Sequence, residues 1–250
     1  MGGHLYIIGL GPGKKDMMTG EAFAAMAGAD VIAGYTVYVD LVKEYFPEKK
    51  FYTTPMRGEI QRCRACFDFI KEGKQVALIC SGDAGVYGMA APVWELLPEY
   101  EREGISPEDI TVIPGVTAAL SGAAVLGAPL GNDFCVISLS DLLTPWDRIE
   151  KRLRAAVEGD FAIAVYNPSG KNRPDHLRKA CEILLDAGAE KTRACGYVEN
   201  IGREGTRSAV CTLEELKEMG VNMFTTVFVG NSQSEIIAGK LVTKRGYEIK

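Results

Sequence analysis

Histidine is nearly absent from this chain: His4 and His176 are the only two among 250 residues. A hydrolase built around an imidazole general base has little to draw on here. No apolar run is long enough to span a bilayer, and Gly2-Gly3-His4 leads straight into a strand without the pattern of a signal peptide. Cysteines number seven and are scattered, which matches reduced thiols in a cytoplasm better than a disulfide framework. Cys63-Arg-Ala-Cys66 is the single CxxC. It has no second pair to complete a zinc site, and its helical surroundings place both sulfurs on one face, so no bound metal is expected. Positive charge is not in excess either. With 28 Lys and Arg against 33 Asp and Glu, the net charge of −5 argues against a general nucleic-acid binder. Internal repeats and low-complexity tracts are missing as well.

What is present is a regular alternation of apolar strands and amphipathic helices, at 47% hydrophobic and 24% charged residues. The most informative stretch runs from Gln75 to Met89. Val76 to Cys80 is an unbroken apolar run, as expected of a strand buried on both faces. Ser81-Gly82-Asp83-Ala84-Gly85-Val86-Tyr87-Gly88 follows, small and glycine-rich, where a ligand can approach the backbone closely. Asp83 in this turn is either a ligand contact or a cap for the next helix. Two more strands end similarly, at Gly9-Leu-Gly11-Pro12-Gly13 and at Pro114-Gly115-Val116-Thr117. Ligands of open α/β sheets sit at the carboxyl ends of strands, so three such turns predict one shared crevice. A nicotinamide dinucleotide is not its expected occupant. Lys14 stands where the fingerprint requires a third glycine, Pro12 removes a backbone donor, and Asp30 precedes its strand instead of following it.

The remaining chain predicts a helix capped by Thr19, a helix over 40–45, another opened by Met56-Arg57-Gly58-Glu59 and running through about Lys71, and strands at 31–34, 51–53 and 109–113. The second half predicts strands at 134–139, 161–166, 193–198, 207–211 and 222–230, with helices at 147–157, 174–187 and 213–219. The closely spaced late strands imply an antiparallel pair added to a mixed sheet. Gly127-Ala-Pro-Leu-Gly131-Asn132 is the densest group of chain breakers and the strongest local boundary signal. The expected architecture is α/β in two domains: an N-terminal α/β domain over 1–115 and a C-terminal α/β domain with a mixed sheet over 116–250.

With these motifs in view, the chain resembles the tetrapyrrole (corrin/porphyrin) methylases, over essentially its whole length. The three glycine turns carry the general resemblance. Ile137-Ser-Leu-Ser140-Asp141-Leu-Leu-Thr-Pro145-Trp146, Tyr166-Asn167-Pro168-Ser169, Gly202-Arg203-Glu204-Gly205 and Val229-Gly230-Asn231-Ser232 carry a narrower one, to the branch that methylates C17 in cobalamin biosynthesis. The resemblance implies the family's two-domain fold, S-adenosylmethionine in a cleft between the domains, S-adenosylhomocysteine as product, and a cytoplasmic homodimer. It implies methylation of precorrin-3B, or its cobalt-containing counterpart, at C17 with ring contraction. Two other readings remain open at this point, a methylase acting on a different ring carbon and a non-catalytic S-adenosylmethionine-binding module. By motif position, the implied cofactor contacts are Pro12, Gly82, Asp83, Val86, Tyr87, Thr117, Ala118, Tyr166 and Asn167. The cysteine-rich C-terminal extension of some family members is missing here, so an iron–sulfur cluster is not expected.

A sulfonium methyl is already activated, so positioning and water exclusion matter more than a strong base. Asp141, just beyond a strand, is the candidate for proton handling, with capping of its own turn as the alternative. Ser138 and Ser140 share that ambiguity. A precorrin bears several acetates and propionates, which calls for local positive charge despite the net −5. Arg57, Lys171, Arg173 and Arg203 are the candidate carboxylate contacts, because guanidinium groups engage carboxylates bidentately.

Overall fold

The computed structural model describes residues 2–248, which divide into two compact units, Met1–Ala118 and Ala119–Lys250. In the first unit, strands β1 (His4–Gly9), β2 (Val31–Tyr35), β3 (Lys50–Thr54), β4 (Gln75–Cys80) and β5 (Ile110–Ile113) form a sheet of order β3-β2-β4-β1-β5. Every pairing in it is parallel. Helices cover both faces, as a wholly parallel sheet requires. Leu5 and Ile7 of β1 face α3 (Glu59–Lys71) and α4 (Ala90–Glu101) in one apolar cluster that also holds Phe67, Val93 and Leu97. Ile8 belongs to the opposite cluster, with Ala22 and Met26 of α1 (Gly20–Gly28) and Val39 of α2 (Thr36–Asp40). The two-residue period of the strand thus feeds two cores at once.

Thr19 caps α1 as expected, its Oγ1 accepting from the Ala22 N–H at 3.1 Å. The helix expected over 40–45 is displaced. The chain turns helical directly after β2, over Thr36–Asp40, and then makes one 3₁₀ turn at Lys43–Tyr45. Gly34 explains the shift. A Cβ there would stand 2.7 Å from Ile79 and 3.0 Å from Val39, so the glycine lets β-branched Val39 sit on the sheet.

The second unit holds a sheet of order β10-β9-β11-β8-β7, built from β7 (Phe134–Ser138), β8 (Ala162–Tyr166), β9 (Ala194–Glu199), β10 (Arg207–Thr212) and β11 (Thr225–Val229). Only β7 and β8 pair in parallel. The β8–β11, β11–β9 and β9–β10 pairings are antiparallel, so the mixed character is stronger than one added pair. Helices α6 (Trp146–Glu158), α7 (His176–Asp186) and α8 (Leu213–Lys217) pack their apolar stripes on one face, through Ile149, Leu153, Leu177, Leu184 and Leu216. On the other face lies α5 (Ala118–Leu126), where Gly122 admits the Phe228 ring: a Cβ would meet it at 2.9 Å.

The breaker cluster at 127–132 is not a domain boundary. Gly127–Ala128 forms the short strand β6, which pairs in parallel with β13 (Lys240–Thr243), and β13 pairs in turn with β12 (Ser234–Ile237). This three-stranded sheet lies wholly within the second unit. The break between units falls at Ala118/Ala119, where α5 begins.

Candidate active site

The three glycine turns of the first unit do converge. They follow β4, β1 and β5, which are neighbours in the sheet, and they are locked backbone to backbone. Gly11 N–H donates to Gly82 O at 2.9 Å, and Gly82 N–H donates back to Gly11 O at 2.8 Å. Gly115 is pressed against both other turns, since a Cβ on it would lie 2.2 Å from Gly82 O and 2.4 Å from Gly9 O. A Cβ on Gly9 would lie 2.6 Å from Gly82 O. These glycines are therefore required by close backbone approach, not by flexibility.

Asp83 fastens the arrangement. Its Oδ1 accepts from Gly85 N–H at 2.8 Å and its Oδ2 from Gly115 N–H at 3.0 Å, tying the β4 turn to the β5 turn. The capping alternative is excluded: α4 starts at Ala90 with Met89 as N-cap and no side-chain cap. Pro12 is buried against this knot, and Thr117 and Ala118 leave β5 half-buried beside it. Gly82 is left-handed at φ 71° with ordinary space around it, the nearest atom to an added Cβ being Thr117 Cα at 3.6 Å. Tyr87 is also left-handed, at φ 53°, and 58% exposed, with Val86 half-buried before it. The result is a close-packed, backbone-rich floor with an exposed aromatic side chain beside it.

Asp83→Leu removes both acceptors while keeping side-chain size. Loss of hydrogen bonds to a charged group costs about 2 kcal/mol or more. The expected result is a lower melting temperature together with weaker cofactor binding in calorimetry. Unchanged values of both would mean that the knot holds without its carboxylate.

In the second unit the expected residues gather at the carboxyl ends of the parallel pair β7 and β8. Ser138 Oγ accepts from Asn167 Nδ2 at 3.0 Å and from Ser140 N–H at 3.2 Å, so this hydroxyl buttresses two turns. Leu139 N–H donates to Tyr166 O at 2.9 Å, and Tyr166 Oη accepts from Ala119 N–H at 2.8 Å. Asn167 holds φ 53°, a strained value that its side-chain bond to Ser138 supports.

Asp141 follows directly, its side chain 40% exposed. His176 Nε2, at the start of α7, lies 3.1 Å from Asp141 Oδ2. This contact, the charge of His176 and, more weakly, that of Arg173 hold the Asp141 carboxyl below the usual carboxylate range. Composition alone does not single out His176. Its signal is its place at the start of the helix that follows the Tyr166-Asn167-Pro168-Ser169 turn.

The basic candidates lie on three different loops. Arg173 lies in the β8–α7 loop with Nη1 buried and unpartnered, and Lys171 is exposed nearby in sequence. Arg203 lies in the β9–β10 loop, its guanidinium 6.0 Å from the Phe224 ring centre. Arg57, in the first unit, is exposed on a left-handed backbone at φ 69°. Its neighbour Arg62 is not a surface charge: it is 3% exposed, with Nε and Nη2 donating to Thr54 Oγ1 at 3.0 and 2.7 Å. Cys63 and Cys66 are buried in α3. Burial pushes the Cys63 thiol up to about 12 and raises Cys66 as well, which leaves both unreactive near neutrality.

The family described as Tetrapyrrole (Corrin/Porphyrin) Methylases matches residues 4–217, across both sets of turns. The chain belongs to this family. As a tetrapyrrole methylase it is 42% identical over 245 residues to a probable cobalt-factor III C(17)-methyltransferase of Salmonella typhimurium, covering 98% of this chain and 100% of that one. It is 38% identical to a precorrin-3B C(17)-methyltransferase of Sinorhizobium sp, covering 95% and 92% of the two chains. The crystal structure of the methyltransferase CobJ superposes with a TM-score of 0.88 at 36% identity, over 97% of this methylase and 100% of CobJ.

Proposed function

We propose that this methylase transfers a methyl group to C17 of precorrin-3B, or of its cobalt-containing counterpart, with ring contraction, in cobalamin biosynthesis. The observation that carries the reading is full-length similarity to enzymes named for C17 methylation, joined to intact turns at the ends of β4, β5, β7 and β8. The donor is S-adenosylmethionine. The first-unit turns fit it, because Gly82 bares the backbone beside the Asp83 knot. Pro12, Gly82, Asp83, Val86, Tyr87, Thr117 and Ala118 are proposed to contact it, as are Tyr166 and Asn167. When bound, S-adenosylmethionine supplies an electrophilic methyl on a sulfonium centre and departs as S-adenosylhomocysteine.

The chain's own task is then positioning and exclusion of water, an effect that recovers roughly 7–11 kcal/mol of barrier when reactants are well oriented. Asp141 is proposed to accept a proton from the macrocycle at a carboxylate oxygen. Its carboxylate is ionised at neutral pH and so free to take a proton, although the lowering makes it a weaker base than an unperturbed carboxylate. Ser138 and Ser140 hold the turn that presents it. Arg57, Lys171, Arg173 and Arg203 are proposed to meet the macrocycle's carboxylates. Among these Arg173 already carries a buried donor with no partner among the described residues. The protein is proposed to act as a homodimer in the cytoplasm. No helix among the described residues is long and apolar enough to cross a membrane.

The deciding experiment is anaerobic turnover of cobalt-loaded and metal-free substrate, followed by mass spectrometry and NMR of the product. A new methyl on C17 is expected, and a methyl on another carbon overturns the reading. Single Arg→Gln changes at 57, 173 and 203 are expected to weaken macrocycle binding and flatten its salt dependence, with S-adenosylmethionine affinity unchanged. If all three bind the macrocycle like wild type across the salt range, the polycarboxylate site lies elsewhere.

A further inference from the structure

His176 is 8% exposed, and neither ring nitrogen completes a hydrogen bond among the described residues. Nε2 stands at ion-pair distance from Asp141 Oδ2, and the ring meets Trp146 edge-on, with centroids 4.7 Å apart and planes at 76°. Buried polar atoms are ordinarily satisfied, and an exception in a native fold calls for an explanation. Packing does not supply one, because a phenyl ring would serve the contact with Trp146 equally well. The second exception lies three residues earlier, in the loop that leads into α7: Arg173 Nη1 is also buried and unpartnered. His176 opens α7 and Arg173 precedes it, and both bear on one half-exposed carboxylate just beyond β7. The titratable and charged groups facing Asp141 are thus His176 from α7 and Arg173 from the loop before it, while Trp146 and Ser140 on its own segment are neutral.

We propose that His176 is the positioning residue for Asp141: the imidazole, wedged against Trp146, fixes the direction in which the carboxylate faces the macrocycle. The inference rests on the reading of Asp141 as the proton acceptor. A small rotation of Asp141 aligns the close Nε2 contact as a hydrogen bond, so the pair is set to tighten when substrate fills the space beside it. His176 itself does not touch the substrate. Its effect passes through the carboxylate, as an orienting partner does in other dyads.

The test uses the full-length enzyme with His176→Phe, His176→Asn, His176→Gln, Asp141→Asn and the double variant Asp141→Asn/His176→Phe. Phenylalanine keeps the ring packing and asparagine keeps polarity, but neither reaches the carboxylate with a donor. Both are expected to lower kcat by up to ~100-fold, the scale of a misplaced reacting group, with S-adenosylmethionine affinity and melting temperature near wild type. Without the imidazole the Asp141 carboxyl returns toward its ordinary range, so the acid limb of the kcat profile moves to higher pH. Glutamine restores a donor of similar reach and recovers much of the rate. The double variant is no slower than Asp141→Asn alone. Wild-type kcat in His176→Phe or His176→Asn, beside a slow Asp141→Asn, overturns the inference and leaves the reading of Asp141 intact. Wild-type kcat in Asp141→Asn overturns that reading and the inference with it. If phenylalanine restores what glutamine does not, His176 is a packing residue and the inference fails.

Discussion

Gly115→Ala is expected to unseat the cofactor floor. The new methyl would stand 2.2 Å from Gly82 O and 2.4 Å from Gly9 O, both backbone and the first held by the Gly11–Gly82 pair. Neither can swing aside as a side chain would, so three turns must part. Overpacking costs about 1–3 kcal/mol, and rigid backbone on two sides places this change at the upper end, a fall of roughly 6–12 °C in melting temperature. S-adenosylmethionine binding should disappear from calorimetric titration. Gly73→Ala is the control: Gly73 is left-handed at φ 81° with nothing within 4 Å, so it reports backbone strain alone, about 1–2 kcal/mol. Cofactor affinity is expected to survive there. If Gly115→Ala melts and binds like wild type, the turns are not a close-packed unit.

Asp141→Asn is the second large effect. The substitution is isosteric and leaves Ser138, Ser140 and Asn167 in place, so folding and cofactor affinity should hold. Loss of a general base lowers the rate by roughly 10²–10⁴-fold, and that is the expected fall in kcat. Because the wild-type carboxyl is held below its ordinary range, it is ionised throughout neutral pH, and with Asp141 as the proposed acceptor the rate is expected to fall only as pH drops through that lowered value. A kcat within twofold of wild type would reassign Asp141 to shaping its own turn.

Much of this is legible in the sequence, for identifiable reasons. Buried parallel strands cannot alternate polar and apolar residues, so Val76 to Cys80 announces itself as an unbroken run. Glycines that permit backbone contact cluster at strand ends, which is why the turns after β1, β4 and β5 can be grouped from sequence. That Asp83 joins two of them cannot be read there, because its partner Gly115 is remote in the chain. The α2 segment misleads because Thr36, Val37 and Val39 carry strand propensity, and the room made by Gly34 is a tertiary fact. The β12–β13 hairpin escapes notice because Ala238-Gly239 replaces the usual Asn-Gly signal, although both residues adopt positive φ. His176 is easily passed over because its chemistry depends on Asp141, which lies beyond an intervening helix and strand.

The two sheets also differ in how their strands find partners, and this sets a sequence of events in time. In the first unit Leu5 must meet both Val76 and Ile110, so β1 waits for chain far downstream before it can be enclosed. In the second unit Arg207 meets Glu199 across a short connection, and Thr225 then adds to the same strand. Closing short loops is faster than closing long ones, and local pairing precedes distant pairing. The later-synthesised half of the protein is therefore expected to gain amide protection first in pulse-labelled refolding, beginning at β9 and β10. The glycine knot, which joins turns from three separate stretches of chain, should be among the last parts of the molecule to become protected.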